Sequence, residues 1–296
     1  MASTQSLVLS SLFDVKGFVA VVTGGGTGIG LMATQSLVAN GARVYIVGRR
    51  KEVLDQVVKK YSQSGPGSIT SIRADTTDSK SVDELVNELE AKEPNGINIL
   101  VNNAGISQEI DMKKTVPNVD YGSVASVRSF LLGAGRDAWQ QTLSTNLTSH
   151  HFVTASLLPA LENGRKNAPG HSSSVVNISS ISGTTKTHSS GQFAYAASKA
   201  ALTHHTRMLA STLHPLGIRV NCIEPGVFPS EMTAGGSDEN QKSKIGGGER
   251  FPANRNGEES DIASAILYLG SRAGNYVNGE TIHVDGGALL QTPSAA

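Results

Sequence analysis

The chain reads as an α/β protein built on a parallel sheet with helices on both faces, and three observations lead there. Phe18-Val-Ala-Val-Val-Thr23 is an unbroken apolar run, the pattern of a strand buried on both faces. A glycine-rich turn, Thr23-Gly-Gly-Gly-Thr-Gly-Ile-Gly30, follows at once and opens a helical pattern that runs to Asn40-Gly41. Strand and helix patterns then alternate at βαβ spacing, and right-handed crossovers make such strands parallel.

Composition narrows the function classes. With 296 residues there is chain for one large α/β domain or two small ones. Lysine plus arginine (25) balances aspartate plus glutamate (25), so no overall field recruits nucleic acid or an anionic membrane. The one cysteine, Cys222, has no partner for an internal disulfide or a thiolate metal site, and its setting Ile218-Arg-Val-Asn-Cys-Ile reads as buried strand. Residues 1–16 lack the basic start and apolar core of a secretory signal. No apolar run approaches the ~20 residues of a membrane span. The expectation is a soluble, cytoplasmic protein. His150-His151 and His204-His205 are adjacent pairs without the i, i+4 spacing of helical zinc ligands, so no metal site is expected.

Each element follows from its local pattern. After the glycine turn comes a second strand, Ala42-Arg-Val-Tyr-Ile-Val47, ending at Gly48-Arg49-Arg50. Val53, Leu54, Val57, Val58 and Tyr61 form a helical stripe, and Ile69-Thr-Ser-Ile-Arg is the third strand, running into Ala74-Asp75-Thr76. Ser81-x-x-Glu84 has the spelling of a capping box for the next helix. The fourth strand, Ile97 to Asn102, leads into Asn103-Ala-Gly105. Residues 106–138 are less regular and read as an insertion that rims the site or extends a subunit contact. A helix is expected from Trp139 to Leu161. Val175-Val-Asn-Ile178 is the fifth strand, and Tyr195 opens a helix that Pro215 and Gly217 end. Ile218 to Ile223 is the sixth strand, and Asn275 to Gly287 holds the last. Residues 228–257, rich in Gly, Ser and charge from 234 on, read as a mobile substrate lid, and 289–296 as a loosely held tail.

Chemistry concentrates in three places. Glycines 24, 28 and 30 let the backbone turn sharply beside Thr23 and Ile29, and the helix start then offers free N–H groups to a pyrophosphate. At the end of the second strand a dinucleotide fold tests the adenosine ribose; here two arginines stand where a carboxylate would bond a 2′-hydroxyl, which favours a 2′-phosphate and Arg49 as its partner. Tyr195 and Lys199 are spaced i, i+4 on one helix face, where an ammonium draws a phenol pKa downwards from ~10. Ser180, ending the fifth strand, is placed to hydrogen-bond the oxygen that Tyr195 protonates.

In this order, Thr-Gly-x-x-x-Gly-x-Gly, Asn-Asn-Ala-Gly, a strand-end serine and Tyr-x-x-x-Lys resemble the short-chain dehydrogenase/reductase family over roughly residues 15–288. Pro225-Gly-Val-Phe-Pro-Ser-Glu-Met-Thr233 is similar in spelling to rhamnolipid-type 3-oxoacyl reductases and their fungal relatives. The resemblance implies a single Rossmann-type domain over 17–288, preceded by an extension over 1–16, with seven parallel strands in the order 3-2-1-4-5-6-7. It implies that Asp75 and Thr76 flank the adenine, that Asn102 and Gly105 line the cofactor cleft, and that Pro225, Gly226 and Val227 sit by the nicotinamide. It also implies that Asn146 holds a water of a proton relay, and that the Tyr195 helix packs against its copy in a homodimer or homotetramer. The family usually has about a dozen residues between its serine and tyrosine, whereas fourteen separate Ser180 from Tyr195; Ser179 and Ser182 remain candidates. The expected activity is NADPH-dependent reduction of a 3-oxoacyl or polyketide-like ketone. An NAD-dependent secondary alcohol dehydrogenase and a non-catalytic cofactor-binding scaffold are the competing readings.

Overall fold

A computed structural model of the chain describes residues 4–109, 112 and 116–294. Seven parallel strands form one sheet: β1 (Val19–Thr23), β2 (Arg43–Gly48), β3 (Ser68–Arg73), β4 (Ile99–Asn102), β5 (Ser173–Ile178), β6 (Ile218–Pro225) and β7 (Thr281–Val284). Their order is β3-β2-β1-β4-β5-β6-β7, as expected. The order reverses between β1 and β4, and a crevice opens there at the carboxyl ends of the strands.

Both faces of the sheet are covered, which is why β1 is apolar at every position. Ala20 and Val22 point into one core layer with Leu31 and Leu37 of α1 (Gly28–Ala39), Leu54 and Val57 of α2 (Lys51–Tyr61), and Ile262 and Ile266 of the last long helix. Val19 and Val21 point into the other, with Leu85 and Leu89 of α3 (Ser79–Lys92). Fully burying such a side chain contributes roughly 1.5–3 kcal/mol, so the two layers hold the sheet from both sides. Cys222 is buried in β6, as its setting predicts.

Four local expectations are corrected. The cap of α3 is Asp78, whose carboxylate accepts from the Ser81 N–H at 2.8 Å; the Ser81 hydroxyl instead accepts from the Asp75 N–H. Residues 106–138 contain a regular helix, α4 (Val124–Leu132), capped by Ser123, and α5 begins at Gly135 rather than Trp139 (Gly135–Leu143). The helix expected to reach Leu161 passes through a π-helical turn at Ser144–Thr148 into α6 (Ser149–Ser156) and then restarts as α7 (Leu158–Lys166). Pro159 explains the restart, since it has no N–H for the carbonyl four residues back. Finally, the tail is not loose as far as Ser294: the Lys186 N–H bonds the Pro293 carbonyl at 2.8 Å and Thr185 bridges Ser294.

The remaining helices are α8 (Phe193–Leu213), against the same face as α3, and α9 (Glu259–Gly270), against the face of α1. α7 lies unusually close to the sheet, because a Cβ on Gly164 would stand 1.9 Å from the Ile97 carbonyl oxygen. We expect Gly164→Ala to lower stability by about 1–3 kcal/mol, the cost of overpacking a filled core, as read from the denaturant midpoint.

Candidate active site

The crevice at the reversal point is a cleft of about 550 Å³ bounded by the ends of six strands, β1 to β6. Its floor is the glycine turn. A side chain at Gly30 would put a Cβ 2.1 Å from the Gly24 carbonyl oxygen, so only glycine lets α1 start this close to β1. Gly24 itself has φ +66°, a left-handed backbone that favours glycine. The Thr27 side chain does not cap α1, so the first-turn N–H groups stay free of it and face the cleft. A glycine-lined floor below an open helix start fits a pyrophosphate.

Thr23 ties this floor to the next strand. Its hydroxyl accepts from the N–H groups of Asn103 and Ala104 at 3.0 and 3.1 Å, and the Asn103 amide donates back to the carbonyls of Thr23 and Gly24.

At the ribose end, Arg49 and Arg50 behave differently. Arg50 makes two hydrogen bonds to the Glu231 carboxylate, 3.1 and 2.7 Å, across the cleft mouth. Arg49 lines the cleft, and the salt bridges of the described residues leave it out. Burial tends to raise the Asp75 carboxyl, but the Thr77 N–H and hydroxyl, with Arg49 nearby, hold it below the usual range.

At the other end, Ser180, Tyr195 and Lys199 line the cleft together. Ser180 caps the turn Ile181–Gly183, accepting from the Ser182 N–H at 3.1 Å. The Lys199 ammonium donates to the Ile178 carbonyl at 2.8 Å and lies 5.8 Å from the centre of the Tyr195 ring. Burial pushes the Lys199 pKa down to about 8. It pushes the Tyr195 phenol up, with the Ser180 hydroxyl pulling weakly the other way. In the chain by itself the phenol therefore stands above its ordinary value, not below it as the ammonium alone would have it, and burial is the main cause. The N–H of Tyr195 donates to the buried Glu109 carboxylate at 3.0 Å, which caps the first turn of α8.

Ser179 and Ser182 are otherwise engaged. Ser179 donates to the Lys199 carbonyl at 2.7 Å, and the Ser182 hydroxyl accepts from Ser189 at 2.6 Å. Asn146 is buried in the π-helical turn. Its side chain accepts from the Ile106 N–H at 2.8 Å and donates to the Ile106 carbonyl and the Ser198 hydroxyl at 2.9 and 3.0 Å. No side-chain hydrogen is left over for a water.

Gly24, Gly28, Ile29, Arg49, Asp75, Thr76, Gly105, Pro225 and Gly226 line the cleft, with Ser180, Tyr195 and Lys199; Thr23, Gly30, Asn146 and Val227 stand behind it. Asn102 is a correction. Its amide donates to Thr154 and Asn177 at 2.9 Å beneath the sheet, and Asn103 takes the place at the cleft. Strand alternation carries the signal, since Asn102 shares a face with buried Leu100. Sequence reading also missed Glu109, whose isolated acidic position carries no pattern.

The irregular segment after β4 packs on the loop that precedes Tyr195. Phe130 of α4 sits 5.5 Å from the His188 ring and 5.6 Å from Phe193, and the Tyr121 hydroxyl is 3.2 Å from His188 Nε2. His188 Nδ1 accepts from the Gly191 N–H at 2.8 Å.

Lys199 yields a test on the protein without ligand. Its pKa is 10.5 when exposed and about 8 here, so between those values the unfolded chain binds the extra proton and stability rises with pH. Unfolding free energies of wild type and Lys199→Met, measured from pH 7 to 10.5, should therefore differ by an amount that shifts in favour of wild type above pH 8. A constant difference across that window would mean an unperturbed lysine.

Residues 24–288 match the family profile described as "Enoyl-(Acyl carrier protein) reductase". The chain is 39% identical to the short-chain dehydrogenase/reductase PhomF of Diaporthe leptostromiformis over 99% of this chain and 98% of the relative. It is 33% identical to the 3-oxoacyl-[acyl-carrier-protein] reductase FabG of Chlamydia pneumoniae, over 90% and 95% of the two chains. Among solved structures it is similar to the Pseudomonas aeruginosa RhlG/NADP active-site complex, with a TM-score of 0.76 and 31% identity over 93% of this chain and 98% of that one. A parallel seven-stranded sheet, a glycine-floored cleft at its reversal point and likeness along nearly the whole chain have one meaning: the protein belongs to the short-chain dehydrogenase/reductase family of oxidoreductases.

Proposed function

We propose that the chain is an NADPH-dependent ketoreductase in which Tyr195 protonates the carbonyl oxygen of a 3-oxoacyl or polyketide-like ketone. The observation that carries this reading is the convergence of the Ser180 and Tyr195 hydroxyls with the Lys199 ammonium at one end of a cleft whose other end presents Arg49. NADPH, when bound, supplies the hydride that reaches the carbonyl carbon. The chain's part is the oxygen: Ser180 donates a hydrogen bond to it and Tyr195 gives it a proton, yielding the alcohol. Burial keeps the phenol protonated at neutral pH, the state a proton donor needs. Lys199, held by the Ile178 carbonyl, stabilises the phenolate left behind. Asn146 and Lys199 both lie beside Gly105, and in this reading Asn146 holds the relay water.

Several features support the finer points. Among the described residues Arg49 makes no salt bridge while Arg50 is held by Glu231, which supports Arg49 as the reader of a 2′-phosphate. The 3-oxoacyl reductase among the relatives supports the substrate class. Residues 228–257 serve as a substrate lid: Glu231 reaches Arg50, and Ser230 would touch a Cβ at Gly28 at 2.9 Å. Leu131, Leu132, Trp139, Phe152 and Met208 are exposed along α4, α5, α6 and α8, an apolar face that supports a homodimer or homotetramer. Among the described residues no helix is long and apolar enough to cross a membrane, and with the charge balance and lone buried thiol this supports a cytoplasmic setting without nucleic-acid partners.

Tyr195→Phe should lose nearly all ketone reduction, about 10²-fold or more, while binding NADPH as wild type does by nicotinamide fluorescence. Retained turnover would refute the assignment, and the same assay with an enoyl thioester tests reduction of a carbon–carbon double bond instead. Arg49→Ala should weaken NADPH binding about tenfold or more and leave NADH binding unchanged, the mark of a lost phosphate contact. A wild-type preference for NADH would point to alcohol oxidation.

A further inference from the structure

Glu224 is a fully buried carboxylate outside the cleft, and the proposed mechanism does not use it. A buried carboxylate is costly unless hydrogen-bonded, so its donors must be held in place. They come from three separate elements. Oε1 accepts from the Thr203 hydroxyl at 2.6 Å, and Oε2 accepts from the Thr184 hydroxyl at 2.6 Å and lies 3.2 Å from His283 Nε2. Hydroxyl bonds of 2.6 Å lie at the short end of the O–H···O range.

The placement of the donors gives the residue its meaning. Thr203 lies one turn beyond Lys199 on α8. Thr184 ends the short turn that Ser180 caps. His283 belongs to β7, and the backbone of Glu224 runs directly into Pro225 and Gly226 at the cleft. One carboxylate thus joins the helix carrying Tyr195 and Lys199, the turn carrying Ser180, and the loop at the far wall. Thr203 strengthens the hold. Its hydroxyl proton has Glu224 as the nearest acceptor at 2.6 Å, with the Lys199 carbonyl next to it at 3.1 Å, so the carboxylate and the backbone of Lys199 meet at one hydroxyl.

We infer that Glu224 is a positioning residue that sets Ser180 against Tyr195 and Lys199 by holding Thr184 and Thr203 on one carboxylate. The inference rests on the ketoreductase reading for its effect on turnover, but not for its effect on structure.

The test compares wild type with Glu224→Gln, Glu224→Asp and Thr184→Val by hydrogen–deuterium exchange, turnover and NADPH binding. Glutamine keeps the shape but cannot accept from both threonines. In folded Glu224→Gln, amide exchange should rise about tenfold in the segments around 180–186 and 199–204 and not elsewhere in the sheet. Turnover at saturating substrates should fall about 10–100-fold, the usual cost of misplacing reacting groups, with NADPH affinity within about threefold of wild type. Glu224→Asp should recover part of both, and Thr184→Val should loosen only the first segment.

Unchanged exchange in both segments of Glu224→Gln, or loosened segments with wild-type turnover, would overturn the inference. Should Glu224→Gln not fold, Thr184→Val and Thr203→Val decide it: each must loosen its own segment and lower turnover, and the inference falls if either does not. A wild type that reduces no ketone while Glu224→Gln loosens both segments would sink the ketoreductase reading and leave the carboxylate's hold standing. An active wild type matched by Glu224→Gln would do the reverse.

Discussion

The Thr23 hydroxyl is the constraint from which the site is built outwards. It sits where the strand order reverses and takes two backbone N–H groups from the end of β4. That fixes the segment 103–106 beside the glycine turn, and the segment passes the order on. The Ala104 carbonyl meets His150 at 2.8 Å, and the backbone of Ile106 is clamped by the Asn146 amide. Asn146 in turn donates to Ser198, whose hydroxyl donates to the Tyr195 carbonyl at 2.7 Å. A chain of hydrogen-bonded polar groups therefore runs from β1 to the first turns of α8. The links are buried or half-buried, so breaking one would leave a polar group short of a partner and of water.

Burial sets the protonation states along the same path. It drives His150 to a pKa of about 3, with Lys199 adding to the effect, so this imidazole is neutral and its Nε2–H donates to the Ala104 carbonyl. The same desolvation lowers Lys199 and raises Tyr195, favouring the uncharged form of both. At neutral pH the site thus holds a protonated phenol and a single ammonium that has a carbonyl rather than a carboxylate for a partner. An unpaired cation in low dielectric favours negative charge appearing nearby, which is the demand made by proton transfer from a phenol.

The sheet was legible because each strand repeats a simple pattern. Seven parallel strands in their order, and the glycine turn, follow from apolar runs, alternation and family spelling. What sequence reading missed are choices between near-equal neighbours. Asn102 and Asn103 are chemically the same residue, and only the pleat of β4 decides which faces the cleft. Asp78 and Ser81 both cap well, and the outcome depends on where α3 begins. For Arg49 and Arg50 sequence reading favours Arg49, but the contact that sets Arg50 aside, with Glu231 far along the chain, cannot be read there. The pairing of His151 with His205, 3.0 Å apart across α6 and α8, likewise needs the fold before it exists. Long-range hydrogen bonds of this kind leave no local periodicity to read.

The extra length between Ser180 and Tyr195 shows how such contacts accumulate on one loop. Ser189 and Ser190 adopt left-handed backbone at φ +50° and +59°, a conformation that costs a non-glycine residue of order 1–3 kcal/mol. The loop keeps it because it is gripped on several sides. The aromatic ring of Phe130 packs on His188, the tail bonds Lys186, the Ser189 hydroxyl donates to Ser182, and the Glu224 carboxylate holds Thr184. Three of these four contacts come from parts of the chain that sequence patterns read as peripheral or leave without a role: the insertion, the tail and a lone acid beside Pro225. Their common target is the stretch that joins the strand-end serine to the Tyr195 helix. A longer connection has more ways to drift, and the packing added around it removes that freedom.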